Sequence, residues 1–136
     1  MKRVSLHAEE EINRFKNEGW RVRIVNTWRP ITSQVSDWPL ALCDARSVSN
    51  AELIAVDHVR RRYVGESYYM PFNAAHRWYY LSRQTKDEVL LFKNYDSRED
   101  LDGKYCPHAS FRQSNGDPMA TPRCSIEVRA LVFSEQ

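Results

Sequence analysis

The chain holds no run of 18 apolar residues, so its 136 residues encode no transmembrane helix. The first residues lack the apolar stretch of an export signal. Cysteine is scarce: Cys43, Cys106 and Cys124 lie far apart, are odd in number and form no CxxC pair. Such thiols argue against a disulfide framework or a zinc knuckle and read as reduced cysteines in a cytoplasmic setting. Neither charge sign dominates, since 20 basic and 18 acidic residues leave a net charge of +2. The basic residues are dispersed, and the one run, Arg60–Arg62, reads as a solvated loop. That gives no footprint for a nucleic acid. There is no P-loop, dinucleotide fingerprint, nucleophile elbow, internal repeat or low-complexity tract.

Aromatic residues are plentiful, with four Trp and seven Tyr. They favour a β-rich core or a wide aromatic pocket. The length suits one domain spanning residues 1–136. Ser5–Glu18 reads as a short amphipathic helix, capped by Ser5, with Glu9, Glu10 and Glu11 in its first turns and Gly19 after its end. Trp20–Trp28 alternates as a strand, with Val22, Ile24, Asn26 and Trp28 on one face and Arg21 and Arg23 on the other. Pro39–Asp44 reads as a short buried strand. Ala51–Arg62 reads as a loop or a single helical turn. Glu66–Leu81 holds two strand segments broken near Pro71–Ala75. Val89–Asn94 and Ser125–Phe133 are further strands, and Tyr95–Tyr105 is a charged loop. Many short strands with one helix predict a mainly β sandwich or jelly roll.

The densest chemistry lies in Tyr105–Phe133. His108 follows Pro107, and Arg123-Cys124-Ser125 opens the final strand. Arg123 and Ser125 are two apart and share a face, so both reach one small anion. Arg129 lies on that same face. A turn-capping histidine and a surface arginine would explain the same residues. His76, in AAHRWYY, is a rival metal ligand or a packed histidine, and His58 reads as exposed. His7-Ala8-Glu9 has the spacing of a two-ligand motif, but helix electrostatics explain Glu9. Turn chemistry explains Asp44 and Asp96.

Six segments occur in order: NTWRP (26–30), DWPLALCDARSV (37–48), HRWYY (76–80), LLFKNYDSRED (90–100), PHASF (107–111) and RCSIEVRALVF (123–133). Together they resemble the AsaB-type hydroxylase/desaturase family of CmcJ/NvfI-like iron(II)/2-oxoglutarate oxygenases, largely fungal enzymes of specialised metabolism. The resemblance covers nearly the whole chain. It implies a double-stranded β-helix and hydroxylation or desaturation of a small-molecule metabolite with Fe(II), 2-oxoglutarate and O2. It implies His108 as the distal metal ligand and Arg123 with Ser125 as the cosubstrate anchor. Asn26 and Trp28 then line the cavity, Trp78 and Tyr79 wall the substrate side, and Arg129 is the second candidate for the carboxylate. His76 remains a pocket candidate.

Such enzymes complete a facial triad with a His-x-Asp pair. In the family that pair lies upstream of the acidic helix, where this sequence begins. The expectation is therefore an N-terminally truncated member, with an incomplete barrel and an exposed sheet edge. Activity would then depend on a His-x-Asp from outside the sequence. The alternatives are a non-catalytic partner subunit or small-molecule binding protein of the same fold, including a methoxylation partner like CmcJ, or a cupin-like isomerase. The sequence itself shows no S-adenosylmethionine site and suggests no membrane partner, and a homo- or hetero-oligomer stays open.

Overall fold

Ile12 and Phe15, three apart in an otherwise polar stretch, give Leu6–Asn17 its inward stripe as helix α1. The chain is seen in a computed structural model, which describes residues 6–31, 34–61, 63–114 and 119–135. Gly19, at φ +83°, takes the left-handed position just past the helix, and its N–H bonds the Lys16 carbonyl at 3.1 Å. The Phe15 ring packs 6.0 Å from Trp20 and 4.4 Å from Phe133, fixing α1 on the sheet that follows. The proposed cap, Ser5, lies outside the described residues, as do the side chains of His7 and Glu9.

Eight strands follow among the described residues. β1 (Arg21–Pro30) is the centre of an antiparallel sheet, flanked by β6 (Leu90–Asp96) and β8 (Ser125–Ser134). β2 (Leu40–Cys43) is the centre of a smaller antiparallel sheet, between β5 (Trp78–Tyr80) and β7 (His108–Ser110). β3 (Ile54–Arg60) and β4 (Tyr63–Tyr69) form a separate hairpin. The expected mainly β class with one N-terminal helix is what the chain adopts. The loop or helical turn expected over Ala51–Arg62 is instead a 3₁₀ turn, Asn50–Glu52, followed by β3. Cross-strand pairing with β4 outweighs the weak local pattern of IAVDHVR, which mixes charge into an apolar run.

β1 behaves as its alternation dictates. Val22, Ile24, Asn26, Trp28 and Pro30 are buried, and the intervening residues are not. Trp28 and Phe92 from the larger sheet meet Val35 and Leu40 in one apolar cluster, against which Leu42, Leu90 and Cys106 pack. That cluster stacks the two sheets. On β8 the inward face is the one bearing Arg129, because Asn26 pairs with Arg129 and Trp28 with Glu127. The apolar row turns outward, leaving Ile126 48% and Val128 56% exposed. Among the described residues, β8 pairs only with β1 and β7 only with β2. No described helix is long and apolar enough to cross a membrane.

A bulge between Ile24 and Val25 resets the β1–β6 register: Val25 faces Lys93 while Ile24 faces Tyr95. Asn94 is thus the extra residue, and Asp96 pairs with Arg23 on the arginine face. There the Asp96 carboxylate, with no side-chain exposure, takes a fork from Arg21 at 3.0 and 2.7 Å and one bond from Lys93 at 2.6 Å. Turn chemistry alone does not account for Asp96. The turn bond from Arg98 N–H is present at 3.2 Å, but the buried ion pairs dominate.

Candidate active site

Pro107 cannot donate a hydrogen bond, but its carbonyl accepts from Cys43 N–H at 2.8 Å, which sets β7 against β2. His108 then lies opposite Leu42. Its Nδ1 is 2.9 Å from the Cys106 carbonyl, which can only accept. Nδ1 therefore donates, and in the neutral ring Nε2 is the atom with the lone pair. The Phe92 ring, 4.6 Å from the imidazole, supports it from the larger sheet.

Ser110 lies two residues along, on the same face of β7. Its hydroxyl accepts from Arg123 Nη1 at 3.0 Å, and the Trp38 carbonyl accepts from the same nitrogen at 2.8 Å. The guanidinium carbon stands 5.2 Å over the Trp28 ring, a favourable place for a cation. Arg123 is thus joined to the His108 strand through a side chain that composition and spacing had not singled out. Ser125 opens β8 opposite Pro30, two residues after Arg123. Trp38 has φ +47°, and it precedes Pro39. A bulky residue in the left-handed region costs about 1–3 kcal/mol, and a following proline restricts it further.

Asn26, fully buried, lies beside this cluster. Its Nδ2 donates to Glu127 Oε1 at 2.6 Å, and its Oδ1 accepts from Arg129 Nε at 2.9 Å. Arg129 Nη2 reaches the same Glu127 oxygen at 3.4 Å. A polar floor of three side chains thus adjoins Trp28. Glu127 escaped the sequence reading, although its place between Arg123 and Arg129 on one strand face was the available signal.

The remaining expected residues divide. Tyr79 faces Leu42 directly, as His108 does from the other side, so Tyr79 and His108 share a face of the smaller sheet. Trp78 pairs with Cys43 on the opposite face. His76 is elsewhere: its side chain is 2% exposed, and Nε2 lies 3.3 Å from Glu52. Glu52 also accepts from Asn73 and from the Ser49 N–H. The Asn73 bond, then the Ser49 and His76 contacts, hold the Glu52 carboxyl down at about 2. His58 is exposed and meets Ser67 Oγ at 2.7 Å. Asp44 caps the 3₁₀ turn Ala45–Ser47 by accepting from Arg46 N–H, as expected of turn chemistry. Burial pushes the Cys43 thiol up and the Cys106 thiol to about 11, so both are protonated and unreactive near neutrality. Among the described residues no group of three or more His, Cys, Asp or Glu is placed to hold a metal ion.

Residues 1–133 match a family model described as an oxidoreductase/YMDC permease-like domain. Aspirochlorine biosynthesis protein N of Aspergillus oryzae is 39% identical over 136 residues, a match covering 98% of this chain and 56% of that protein. The Fe(II)/2-oxoglutarate-dependent dioxygenase nvfI of Aspergillus novofumigatus is 39% identical over 115 residues, covering 83% and 41%. The hydroxylase/desaturase asaB of Aspergillus flavus is 33% identical over 129 residues, covering 85% and 56%. The solved structure of the iron and alpha-ketoglutarate-dependent endoperoxidase NvfI superposes with a TM-score of 0.82 at 36% identity, covering 95% of this chain and 47% of that one. The chain spans about half the length of these relatives. By its motifs, its stacked sheets and these matches, the chain belongs to the AsaB-type hydroxylase/desaturase family of oxidoreductases.

Proposed function

We propose that the chain serves an iron(II)/2-oxoglutarate oxygenase that hydroxylates or desaturates a small-molecule specialised metabolite. His108 is one metal ligand, and Arg123 with Ser125 anchors the cosubstrate's distal carboxylate. The observation that carries this reading is the set of hydrogen bonds that orients His108 and ties Arg123 to the strand that bears it. The Cys106 carbonyl holds Nδ1–H, leaving Nε2 for a metal, as the outer partners of metal-bound histidines do. Nη1 of Arg123 is spent on Trp38 and Ser110, so Nε and Nη2 can meet a carboxylate as a fork. The names of the relatives supply iron(II) and 2-oxoglutarate. When bound, they would provide the oxidising chemistry with O2.

The residues of this chain do the rest. The Trp28 face and the Asn26–Glu127–Arg129 floor orient the substrate, and Phe92 shields one side of His108 from water. The other metal ligands lie outside the described residues in this reading. The test is Mn(II) added, with 2-oxoglutarate present, to the 15N-labelled chain joined to the N-terminal half of a relative, which supplies the His-x-Asp pair. Paramagnetic broadening should be centred on His108, with a shift at Arg123 Nε. Broadening centred on His58 or His76, with Arg123 unmoved, would sink the assignment.

A further inference from the structure

We infer that the left-handed turn at Trp38 is a positioning device for Arg123, built in the backbone rather than in the tryptophan ring. The inference rests on the oxygenase reading for its purpose but not for its geometry. Trp38 stands at φ +47° immediately before Pro39. Bulky residues avoid that conformation, and a following proline narrows the choice toward extended backbone. Strain of this kind persists only where the surroundings over-determine it. Pro39 is buried, and its carbonyl accepts from Phe111 N–H at 3.4 Å, tying the turn to the end of β7. The Trp38 ring is 46% exposed, so ring packing does not explain the conformation. What the turn accomplishes is to aim the Trp38 carbonyl at Arg123 Nη1, 2.8 Å away.

Three contacts then define one pose of the guanidinium. The Trp38 carbonyl and the Ser110 hydroxyl hold Nη1, and the Trp28 ring lies beneath the plane at 5.2 Å. Among the described residues, Nε and Nη2 make no hydrogen bond. An arginine side chain fixed at one nitrogen and one face presents its remaining edge in a single direction. A dicarboxylate meeting that edge loses less freedom than one that must also order the arginine. Trp38 is accordingly a positioning residue: it acts through Arg123 and is expected to touch no substrate.

The conformation and the ring can be separated by substitution. Glycine and asparagine adopt positive φ readily, whereas valine, being β-branched, does not. The 15N–1H signals of the arginine Nε–H groups are recorded on the metal-free 136-residue chain, with Arg123 assigned through Arg123→Lys. Arg123 should show a rigid, ring-current-shifted Nε–H. Trp38→Gly and Trp38→Asn should keep it, and Trp38→Val should release it to the sharp, averaged signal of a mobile arginine. Trp28→Leu should remove the ring-current shift. A rigid signal surviving in Trp38→Val would overturn the inference, and so would its loss in Trp38→Gly and Trp38→Asn, which would assign the effect to the ring. Should Trp38→Val fail to give a folded backbone spectrum, the Gly and Asn variants still decide between ring and backbone.

Titration with 2-oxoglutarate then separates purpose from geometry. Loss of one charged hydrogen bond predicts roughly tenfold weaker binding in Trp38→Val, with little change in the Gly and Asn variants. If the rigid signal follows the backbone rule while 2-oxoglutarate moves Arg123 in no variant, the oxygenase reading fails and the positioning geometry stands.

Discussion

Across the β1–β8 ladder, Arg129 Nε donates to Asn26 Oδ1 at 2.9 Å, which places a guanidinium on the interior face of β8 beside Glu127. Asn26 stands in the row Val22, Ile24, Asn26, Trp28, all four buried. A buried amide is tolerated when both its ends are satisfied, and Glu127 completes the set by accepting from Nδ2 at 2.6 Å. Asn26→Ala removes the bridge between the two charged side chains. The expected loss is about 2–3 kcal/mol, read from the urea midpoint at an unchanged slope. A loss under about 0.5 kcal/mol, the level of an ordinary surface change, would show that Glu127 and Arg129 satisfy each other without it.

Asp96 makes stability depend on acid. Burial alone would push its carboxyl up, but the Arg21 fork, Lys93 and the Arg98 N–H outweigh that and hold it well below the usual carboxylate range. A folded-state value depressed below the unfolded one contributes stability above the unfolded pKa of about 3.9 and loses it as pH falls toward the folded value. Unfolding free energy should therefore decline as pH drops below about 4. Asp96→Asn should flatten that part of the profile and cost on the order of 3 kcal/mol at neutral pH, because Arg21 and Lys93 lose their shared partner. An equally steep acid decline in Asp96→Asn would place the sensitive carboxylate elsewhere.

His76 serves as a staple for the 71–77 segment, which it ties to the 3₁₀ turn Asn50–Glu52 through Glu52. Its backbone N–H also bonds the Asn73 carbonyl at 3.1 Å. His76→Ala should speed hydrogen exchange at the Trp78–Tyr80 amides while leaving Mn(II) broadening at His108 unchanged. If that broadening disappears instead, His76 is a ligand and the division of roles drawn above is reversed.

Alternation made most of the larger sheet legible, because a strand buried on one face must write its burial into every second residue. Val22–Trp28 and Val89–Asn94 showed their strands in this way. The same rule could not say which face of Ser125–Phe133 turns inward. Its apolar row is the outer one, and the inner row is Ser125, Glu127, Arg129, Leu131 and Phe133, matched to β1 by register alone. β3 was missed because its described residues are mostly exposed on both faces and so carry no strict alternation. Within the candidate site, spacing offered Arg123 and Ser125 as a pair. It could not offer Ser110 and the Trp38 carbonyl, since both come from segments 13 and 85 residues away and meet Arg123 only after the sheets stack. No backbone carbonyl advertises its direction in a side chain.

Arg123, just before β8, and Arg129 within it should separate in their effect on 2-oxoglutarate. Arg123 has two neutral acceptors and an aromatic face around it, so its positive charge is not cancelled by a carboxylate among the described residues. Arg129 already bonds Asn26 and pairs with Glu127. A dicarboxylate gains more from the first than from the second. Removing one partner of a charge-assisted pair in a partly dry site costs roughly 2–5 kcal/mol, or about 30- to several-thousand-fold in affinity. Arg123→Ala should therefore weaken 2-oxoglutarate binding at least about 30-fold. The titration can be followed by tryptophan fluorescence, because Trp28 lies under the guanidinium. Arg123→Lys should recover part of the loss, since an ammonium offers no planar fork. Arg129→Ala should change the affinity far less, while lowering stability through Asn26 and Glu127. Were binding to survive without Arg123 and vanish without Arg129, the cosubstrate would lie over the Asn26 floor rather than beside Ser110, and the strand register would have to be read from the other arginine.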